Sequence, residues 1–393
     1  AIVSEVTEGF ELFGDKPTYK ALTFLPFAHV LGRIEHWGSC WNGHSLAYAE
    51  SIERIKSNLK EVKPDFIIAV PRIFEKVYSG IMAQIETQKY KQKIFAHALE
   101  AAQEIQKYRI TKESIPWLLL ARYEALNKIA FAPIREAFGG NLKFAVSGGA
   151  PISRELVDFF GYCGLPILEG YGLTETCAAI FVNTLSQYQA GTVGHPIGDV
   201  QIKFGADGEI LVKSKKCFIE YYKNKEETEK SIIDGFFATG DIGEFNSQGF
   251  LKITDRKKDL IKTAGGKYVA PQKLEGLLKQ DPIISQVLIH GDQRKFVIAI
   301  LNFDEIQIKQ WADNQGLVYE KVQDIYNSPL LKVRMQKHIQ SVNSKLASFE
   351  AVKKFEIVND AWTVENGSLT QSLKVKRKHL EFKYSDLIES IYE

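Results

Sequence analysis

The chain has 393 residues, enough for two or more domains with a large buried core and too many for a small peptide-like module. Its 50 Lys and Arg stand against 48 Asp and Glu, a net charge of +2, too near balance for a nucleic-acid surface, so no nucleic-acid partner is expected. Four cysteines, Cys40, Cys163, Cys177 and Cys217, lie far apart with no CxxC pair. This argues against a zinc site and a disulfide framework and for a reducing, cytoplasmic setting.

In chain order, the opening AIVSEVTEGF carries acids where a secretory signal needs bases and begins with Ala, so residue 1 is not expected to be a natural start. Apolar β-branched runs such as DFIIAV (65–70) and LKFAVSGG (142–149) alternate with helical patterns at 51–63 and 152–160, the rhythm of a parallel α/β sheet. Between them, 72–138 reads as long amphipathic helices. After about residue 190 short strands and turn residues dominate, as in GEILVKS, DGFFATGD and GEFNSQGFLKITD, predicting a β-rich subdomain. Past DRKKD (255–259) the pattern becomes α+β, with a helix from Pro271, strands near 284–290 and 295–301, and helices near 304–315 and 329–347. The expected boundary is at Lys258, separating a domain 1–256 from a domain 257–393. The apolar runs IPWLLLA (115–121) and FVIAIL (296–301) fall short of the roughly 20 residues that span a bilayer. The chain therefore reads as soluble, with peripheral membrane contact near Trp117 left open and oligomeric state unspecified.

Four segments carry chemistry. LEGYGLTET (168–176) sets two glycines around a ring, then a hydroxyl, a carboxylate and a second hydroxyl. Glycines let a backbone approach a ligand, Tyr171 offers a flat face to a base, Thr174 can donate to a phosphate and Glu175 can hold a magnesium ion. Alone, the same segment reads more plainly as a strand, a Gly turn and a helix cap. TGDIGEF (239–245) ends a predicted strand with Asp241 at a turn, where a carboxylate can accept both hydroxyls of a ribose or merely form the turn. ITDRKKDLIKTAGGKYVAPQKLE (253–275) joins a basic strand end, a double glycine and a Pro-started helix. GSLTQSLKVKR (367–377) is a polar turn delivering Lys374, Lys376, Arg377 and then Lys378 onto the start of a helix.

Taken together and in order, GYGLTE, TGD, DRKKDLIKTAGGKYVAPQKLE and LTQSLKVKR resemble the motifs of the adenylate-forming superfamily of acyl-CoA synthetases, luciferases and peptide-synthetase adenylation domains. LTFLPFAHVLGR (22–33), the long helical stretch and FAVSGGAPIS (144–153) resemble its long-chain fatty acyl-CoA synthetase branch. The resemblance covers essentially the whole chain. It implies an α/β fold: a large N-terminal domain, built of a parallel α/β subdomain and a β-rich subdomain and here truncated, with a small mobile α+β C-terminal domain. It also implies an ATP-dependent long-chain fatty acid:CoA ligase that forms an acyl-adenylate and pyrophosphate and then acyl-CoA and AMP. Its partners would be the long-chain fatty acid, ATP, Mg2+ and coenzyme A.

On that resemblance Lys374 matches the lysine that bridges carboxylate and α-phosphate, Thr174 the phosphate-contacting hydroxyl and Glu175 the magnesium ligand. Asp241 and Arg256 match ribose contacts, and Gly148, Gly149, Ala150, Tyr171 and Gly172 match the adenine slot and its loop. Lys258 matches the hinge and Gly265 the pantetheine tunnel. His29 matches a residue facing the acyl site, with a satisfied core histidine as the plainer alternative. Lys376, Arg377 and Lys378 read as a solvated basic helix start.

Two departures stand out. The family's Ser/Thr/Gly-rich loop ending in Pro-Lys-Gly, which cradles the outer phosphates, is missing, so the expectation is a fragment starting a few residues beyond it. Gln371 stands where proline is common before the lysine. The alternatives are a catalytically incomplete nucleotide- or acyl-binding fragment, or a ligase for another carboxylic acid or a carrier-protein acceptor.

Overall fold

A computed structural model describes residues 1–14, 18–86, 88–111, 113–206, 208–370 and 375–393. The chain divides into two compact units, residues 1–74 with 88–254, and residues 75–87 with 255–393.

The first unit opens with α1 (Ile2–Glu11), β1 (Lys20–Thr23), α2 (Val30–Asn42), β2 (Ser45–Tyr48), α3 (Ile55–Val62) and β3 (Phe66–Ala69). The long helices follow, α4 (Pro71–Glu86), whose residues from Glu75 onward belong to the second unit, then α5 (Lys89–Thr111), α6 (Trp117–Leu126) and, after a π-helical turn, α7 (Ala132–Ala137). Then come β4 (Phe144–Ser147), α8 (Arg154–Tyr162), β5 (Ile167–Leu173), β6 (Ala178–Val182) and β7 (His195–Pro196). Seven strands form one sheet in the order β2-β1-β3-β4-β5-β6-β7, parallel from β2 through β5 and antiparallel from β5 to β7. All four residues of β3, FIIA, are buried, as a strand covered on both faces requires. Phe66 and Ile68 pack with Val6, Phe10 and Ile34 of α1 and α2. On the opposite side Phe74, Phe138, Phe159 and Phe160 stack edge to face. No helix among the described residues is long and apolar enough to cross a membrane.

A second sheet in this unit uses β8 (Gln201–Phe204), β9 (Glu209–Lys213), β10 (Ile232–Ile233) and β11 (Phe236–Phe245) in the order β10-β11-β9-β8, with β12 (Leu251–Arg256) paired to β11 and the short helix α9 (Lys225–Ser231) before β10. This is the β-rich region that the turn chemistry predicts.

The second unit carries the hairpin β13 (Ile261–Lys262) and β14 (Tyr268–Val269), then α10 (Pro271–Leu278), β15 (Ile284–His290), β16 (Val297–Phe303), α11 (Glu305–Asn314), α12 (Val322–Tyr326), α13 (Pro329–Asn343), β17 (Val352–Val358), α14 (Arg377–Lys383) and α15 (Ser385–Tyr392). Strand β16 is central to a three-stranded sheet, antiparallel to β15 and parallel to β17. Its alternation divides two cores: Val297, Ala299, Leu301 and Phe303 join Leu274, Ile308 and Met335, while Ile298 and Ile300 join Trp362, Leu380 and Ile388.

One expectation is corrected here. Lys376 and Lys378 are exposed, but Arg377 is not a solvated base. Its Nη2 donates to Glu275 Oε1 at 2.6 Å and its Nη1 to the Ile289 carbonyl at 2.5 Å, and Ile289 N donates to the same Glu275 oxygen at 3.0 Å. A guanidinium can hold two acceptors in one plane, so α14 is fastened to α10 and β15 by a partly buried pair.

A buried carboxyl gives the first unit a pH signature. Glu35 of α2 is wholly buried and accepts a hydrogen bond from Thr23 Oγ1, while its Oε1 has no partner among the described residues. Burial pushes its pKa from 4.5 up to about 8, the bond from Thr23 opposing the shift. Above its unfolded pKa the unfolded chain releases the proton while the folded protein keeps it, so this contribution to stability is present at low pH and is lost as pH rises toward about 8. Glu35→Gln should therefore melt with the wild type at about pH 4.5 and above it at about pH 9, by thermal denaturation followed across that range. A variant that melts lower at the alkaline end would remove the assignment.

Candidate functional site

The expected nucleotide residues of the first unit gather at the carboxyl ends of β4 and β5, where open parallel sheets leave a crevice for ligands. Ser147 pairs with Glu169, so Gly148 and Gly149 leave the sheet beside Gly170 and Tyr171. An added Cβ on Gly148 would stand 3.8 Å from the Gly170 carbonyl, in ordinary contact. Gly149 has φ 79°, the left-handed region that favours glycine, and starts the turn through Ala150 toward α8, which Ser153 caps through Leu156 N.

Gly172 has a different reason from the one its motif suggests. A Cβ there would lie 1.6 Å from the Ala178 carbonyl oxygen, because β5 bulges between Tyr171 and Gly172 and β6 crosses close by. The glycine admits the protein's own backbone. Between the two strands Thr174–Thr176 forms one 3-10 turn, and Cys177 and Ala178 follow with φ of 59° and 96°. Two successive non-glycine residues on the positive side cost on the order of 1–3 kcal/mol each and persist only where the surroundings hold them.

Those surroundings are visible. Thr176 Oγ1 is buried, accepts from Leu173 N at 2.8 Å and lies 3.0 Å from the Ala178 carbonyl. Phe218 N donates to the Glu175 carbonyl at 2.7 Å. Ala179 N donates to Glu5 Oε1 of α1 at 2.8 Å. The turn presents Thr174 exposed and Glu175 half-buried. Glu175 Oε1 accepts from the Tyr221 hydroxyl at 2.9 Å, and burial together with that bond pushes the Tyr221 pKa up to about 12. Tyr221, not singled out in the sequence, orients the carboxylate on which the metal expectation rests; its position in IEYYKN carried no signal of that contact.

Asp241 does not end a strand. It lies inside β11 at an irregularity where the register jumps from Ala238 opposite Leu211 to Ile242 opposite Glu209. Thr239 Oγ1 donates to the Ile210 carbonyl at 2.8 Å, Gly240 turns with φ 72° and its N donates to Glu209 Oε1 at 2.9 Å. This bulge re-aims the buried Asp241, whose Oδ2 accepts from the Tyr171 hydroxyl at 2.8 Å. The ring expected at the adenine and the carboxylate expected at the ribose thus meet directly, from residues 70 apart in sequence.

His29 is not the buried core histidine of the plainer reading. It is exposed and caps α2, its Nδ1 accepting from Leu31 N at 3.3 Å. Arg256, Lys258 and Gly265 belong to the second unit. Arg256 is exposed and its carbonyl closes the turn through Lys258 by accepting from Asp259 N at 3.0 Å. In the β13–β14 hairpin a Cβ on Gly265 would meet only Thr263 Oγ1 at 4.0 Å, so the hairpin itself does not need glycine there, whereas Gly266 has φ 73°. Lys374 lies outside the described residues.

The AMP-binding enzyme family model matches residues 1–222, and the AMP-binding enzyme C-terminal domain model matches residues 258–393. The chain belongs to the AMP-binding enzyme family. Among relatives within it, the long-chain-fatty-acid–CoA ligase FadD15 of Mycobacterium bovis is 35% identical over 95% of this chain and 62% of its own length. Long chain acyl-CoA synthetase 1 of Arabidopsis thaliana is 31% identical over 97% of this chain and 60% of its own. The chain thus spans under two thirds of these relatives. Among solved structures, the adenylation domain of a carboxylate reductase from Mycobacterium chelonae aligns with TM-score 0.76 at 24% identity, covering 100% of this chain and 56% of that one. o-Succinylbenzoate CoA synthetase of Bacillus subtilis, in complex with ATP and magnesium ion, aligns with TM-score 0.63 at 18% identity, covering 97% of this chain and 65% of that one. These structures establish the fold: a mixed α/β N-terminal domain with a C-terminal domain.

For an AMP-binding enzyme the donor set at the turn is of the right kind: a carboxylate and a hydroxyl are hard oxygen ligands suited to Mg2+ beside a phosphate, and a thiol or imidazole is not required. The rigidity of that turn is testable. Gly172→Ala should cost about 3 kcal/mol, since the clash is with backbone that cannot swing aside, whereas Gly170→Ala, whose Cβ would sit 3.6 Å from its nearest neighbour, should cost about 1 kcal/mol or less. Equilibrium urea denaturation of both variants checks the contrast, and equal losses would show that the close approach is not the constraint.

Proposed function

We propose that the whole protein is an ATP-dependent long-chain fatty acid:CoA ligase. In this reading the fatty carboxylate and ATP give an acyl-adenylate and pyrophosphate, and the acyl group then passes to the thiol of coenzyme A with release of AMP. The observation that carries it is the single site in which Tyr171, Thr174 and Glu175 of one motif, on a bulged strand pair and its turn, meet Asp241 of a second motif through the Tyr171–Asp241 hydrogen bond. The family's activity and the names of the relatives support the substrate class.

Each group has a task that follows from its chemistry. Asp241, already an acceptor, would take the ribose hydroxyls, and Tyr171, bonded to it, would lie along the adenine between Gly148–Ala150 and its own strand. Thr174 would donate to a phosphate oxygen. Glu175 would hold Mg2+, whose charge, when bound, offsets that of the phosphates. Arg256 would add a second ribose contact, and Lys258 and Gly265 keep the hinge and tunnel roles their motif implies. Lys374, assigned by its motif alone, would supply the cation between the two anions that must approach.

Pyrophosphate release with ATP, Mg2+ and palmitate, measured on the whole protein including any residues that precede Ala1, tests the reading. No release with fatty acids of any chain length, but release with an aromatic or short acid, would replace the substrate class. Lys374→Ala should slow adenylate formation by orders of magnitude, a loss of about 3 kcal/mol of transition-state stabilisation, and spare thioester formation from supplied acyl-adenylate. Equal loss in both half-reactions would remove its assigned role. Trp117 and Leu118 stand exposed at the start of α6, and contact with a lipid surface is proposed through them. Liposome flotation that is unchanged by Trp117→Ser would dismiss it.

A further inference from the structure

Beneath the Thr174–Ala178 turn lies a buried charge cluster that none of the nucleotide roles uses. Lys216 is wholly buried. Its Nζ lies 3.2 Å from Glu5 Oε2 and 3.1 Å from Glu8 Oε2, both on α1, and donates to the Ile197 carbonyl at 3.2 Å. Both acids lie at ion-pair distance from the ammonium, so the attraction of opposite charge links them. Space is reserved for the cluster: a Cβ on Gly198 would fall 1.8 Å from Glu8 Oε2.

The other oxygen of Glu5 is directed outward, to the turn. Oε1 accepts from Ala179 N at 2.8 Å, immediately after the two positive-φ residues Cys177 and Ala178. A carboxylate accepting from a backbone N–H makes a stronger bond than a neutral acceptor. Burial pushes the Glu5 pKa up to about 7, and the Lys216 ammonium opposes that shift, so Lys216 favours the ionised form of the acceptor. A buried ion pair is poor evidence for stability, and an apolar substitute often serves a core as well. Its use here is geometric, since it brings a carboxyl acceptor to a backbone N–H that follows the strained turn directly.

We propose that Glu5 is a positioning residue for Thr174 and Glu175, and that Lys216, which Glu5 shares with Glu8, is the buried counter-charge that holds Glu5 to the Ala179 N–H. The inference rests on the reading that Thr174 and Glu175 contact phosphate and Mg2+. Through it, helix α1 sets where those two side chains stand.

The test compares Glu5→Leu, which removes the acceptor, with Glu5→Gln, which keeps its shape and a neutral acceptor, in the whole protein. Without nucleotide, backbone amide exchange across residues 172–180 should quicken strongly in the leucine variant and slightly in the glutamine one. With substrates, KM for MgATP should rise by about tenfold in Glu5→Leu and by about threefold in Glu5→Gln, with KM for the fatty acid within about twofold of wild type in both. Wild-type exchange and wild-type KM for MgATP in both variants would overturn the proposal, as would equal rises in the two KM values. If the leucine variant does not fold, the glutamine variant decides alone by the same criteria. Glu175→Gln, made in parallel, separates the two claims: if it leaves KM for MgATP unchanged, the underlying assignment of Glu175 fails. If it raises that KM while the Glu5 variants do not, only the positioning role fails.

Discussion

The close passage of β6 over Gly172 is the constraint on which the rest of the site depends. With the Ala178 carbonyl occupying the space of a side chain at Gly172, the chain has only Leu173–Cys177 in which to reverse. It does so through one 3-10 turn and two residues of positive φ, a conformation no isolated peptide of this sequence would hold. The turn thereby presents Thr174 and Glu175 in adjacent positions at the carboxyl edge of the sheet. Its order comes from elsewhere in the first unit: Thr176 inside the turn, the Phe218 amide, the Tyr221 hydroxyl and Glu5 of α1.

Buried charge in this protein serves direction more than strength. Lys216 draws two carboxylates of α1 beneath the second sheet, Arg377 spans Glu275 and a carbonyl of β15, and Arg334 holds the buried Asp281 through two hydrogen bonds of 3.0 and 2.8 Å. In each case removal of one partner would leave the other without compensation in a low-dielectric interior, so each pair specifies one arrangement. Arg377 illustrates how a sequence hides this: in a run of basic residues at a helix start every member is equally a solvated base, and only packing distinguishes the one turned inward.

Much of the fold was legible in pattern. The fully apolar FIIA of β3 and the alternating apolar residues of VIAILNF in β16 reflect burial on two faces, and Ser153 before α8 and Pro271 at the start of α10 are local signals that act through the nearest backbone groups. The site was legible through motifs that also occur in the family, and Tyr171 and Asp241 come together. Less legible was why particular residues are there. Asp241 looked like the end of a strand because TGD is turn chemistry, and the turn proved to be a bulge within one. His29 is a helix cap and not a core residue, because its Nδ1 meets the amide two residues ahead.

By itself the sequence determined the alternation of strands and helices, the β-rich stretch, the α+β C-terminal part and the chemical character of the residues at the site. These depend on periodicity and on the conformational preferences of Gly, Pro, Ser and Asp, which act over a few residues and are written in order along the chain. Only the tertiary structure decided that Gly172 serves the protein's own backbone, that Tyr221 meets Glu175, that Asp241 meets Tyr171 and that Glu5 reaches Ala179, 174 residues away. Such contacts are made between segments brought together by closing long loops. Their identity depends on the register of strands and the depth of burial, neither of which any local stretch of residues encodes.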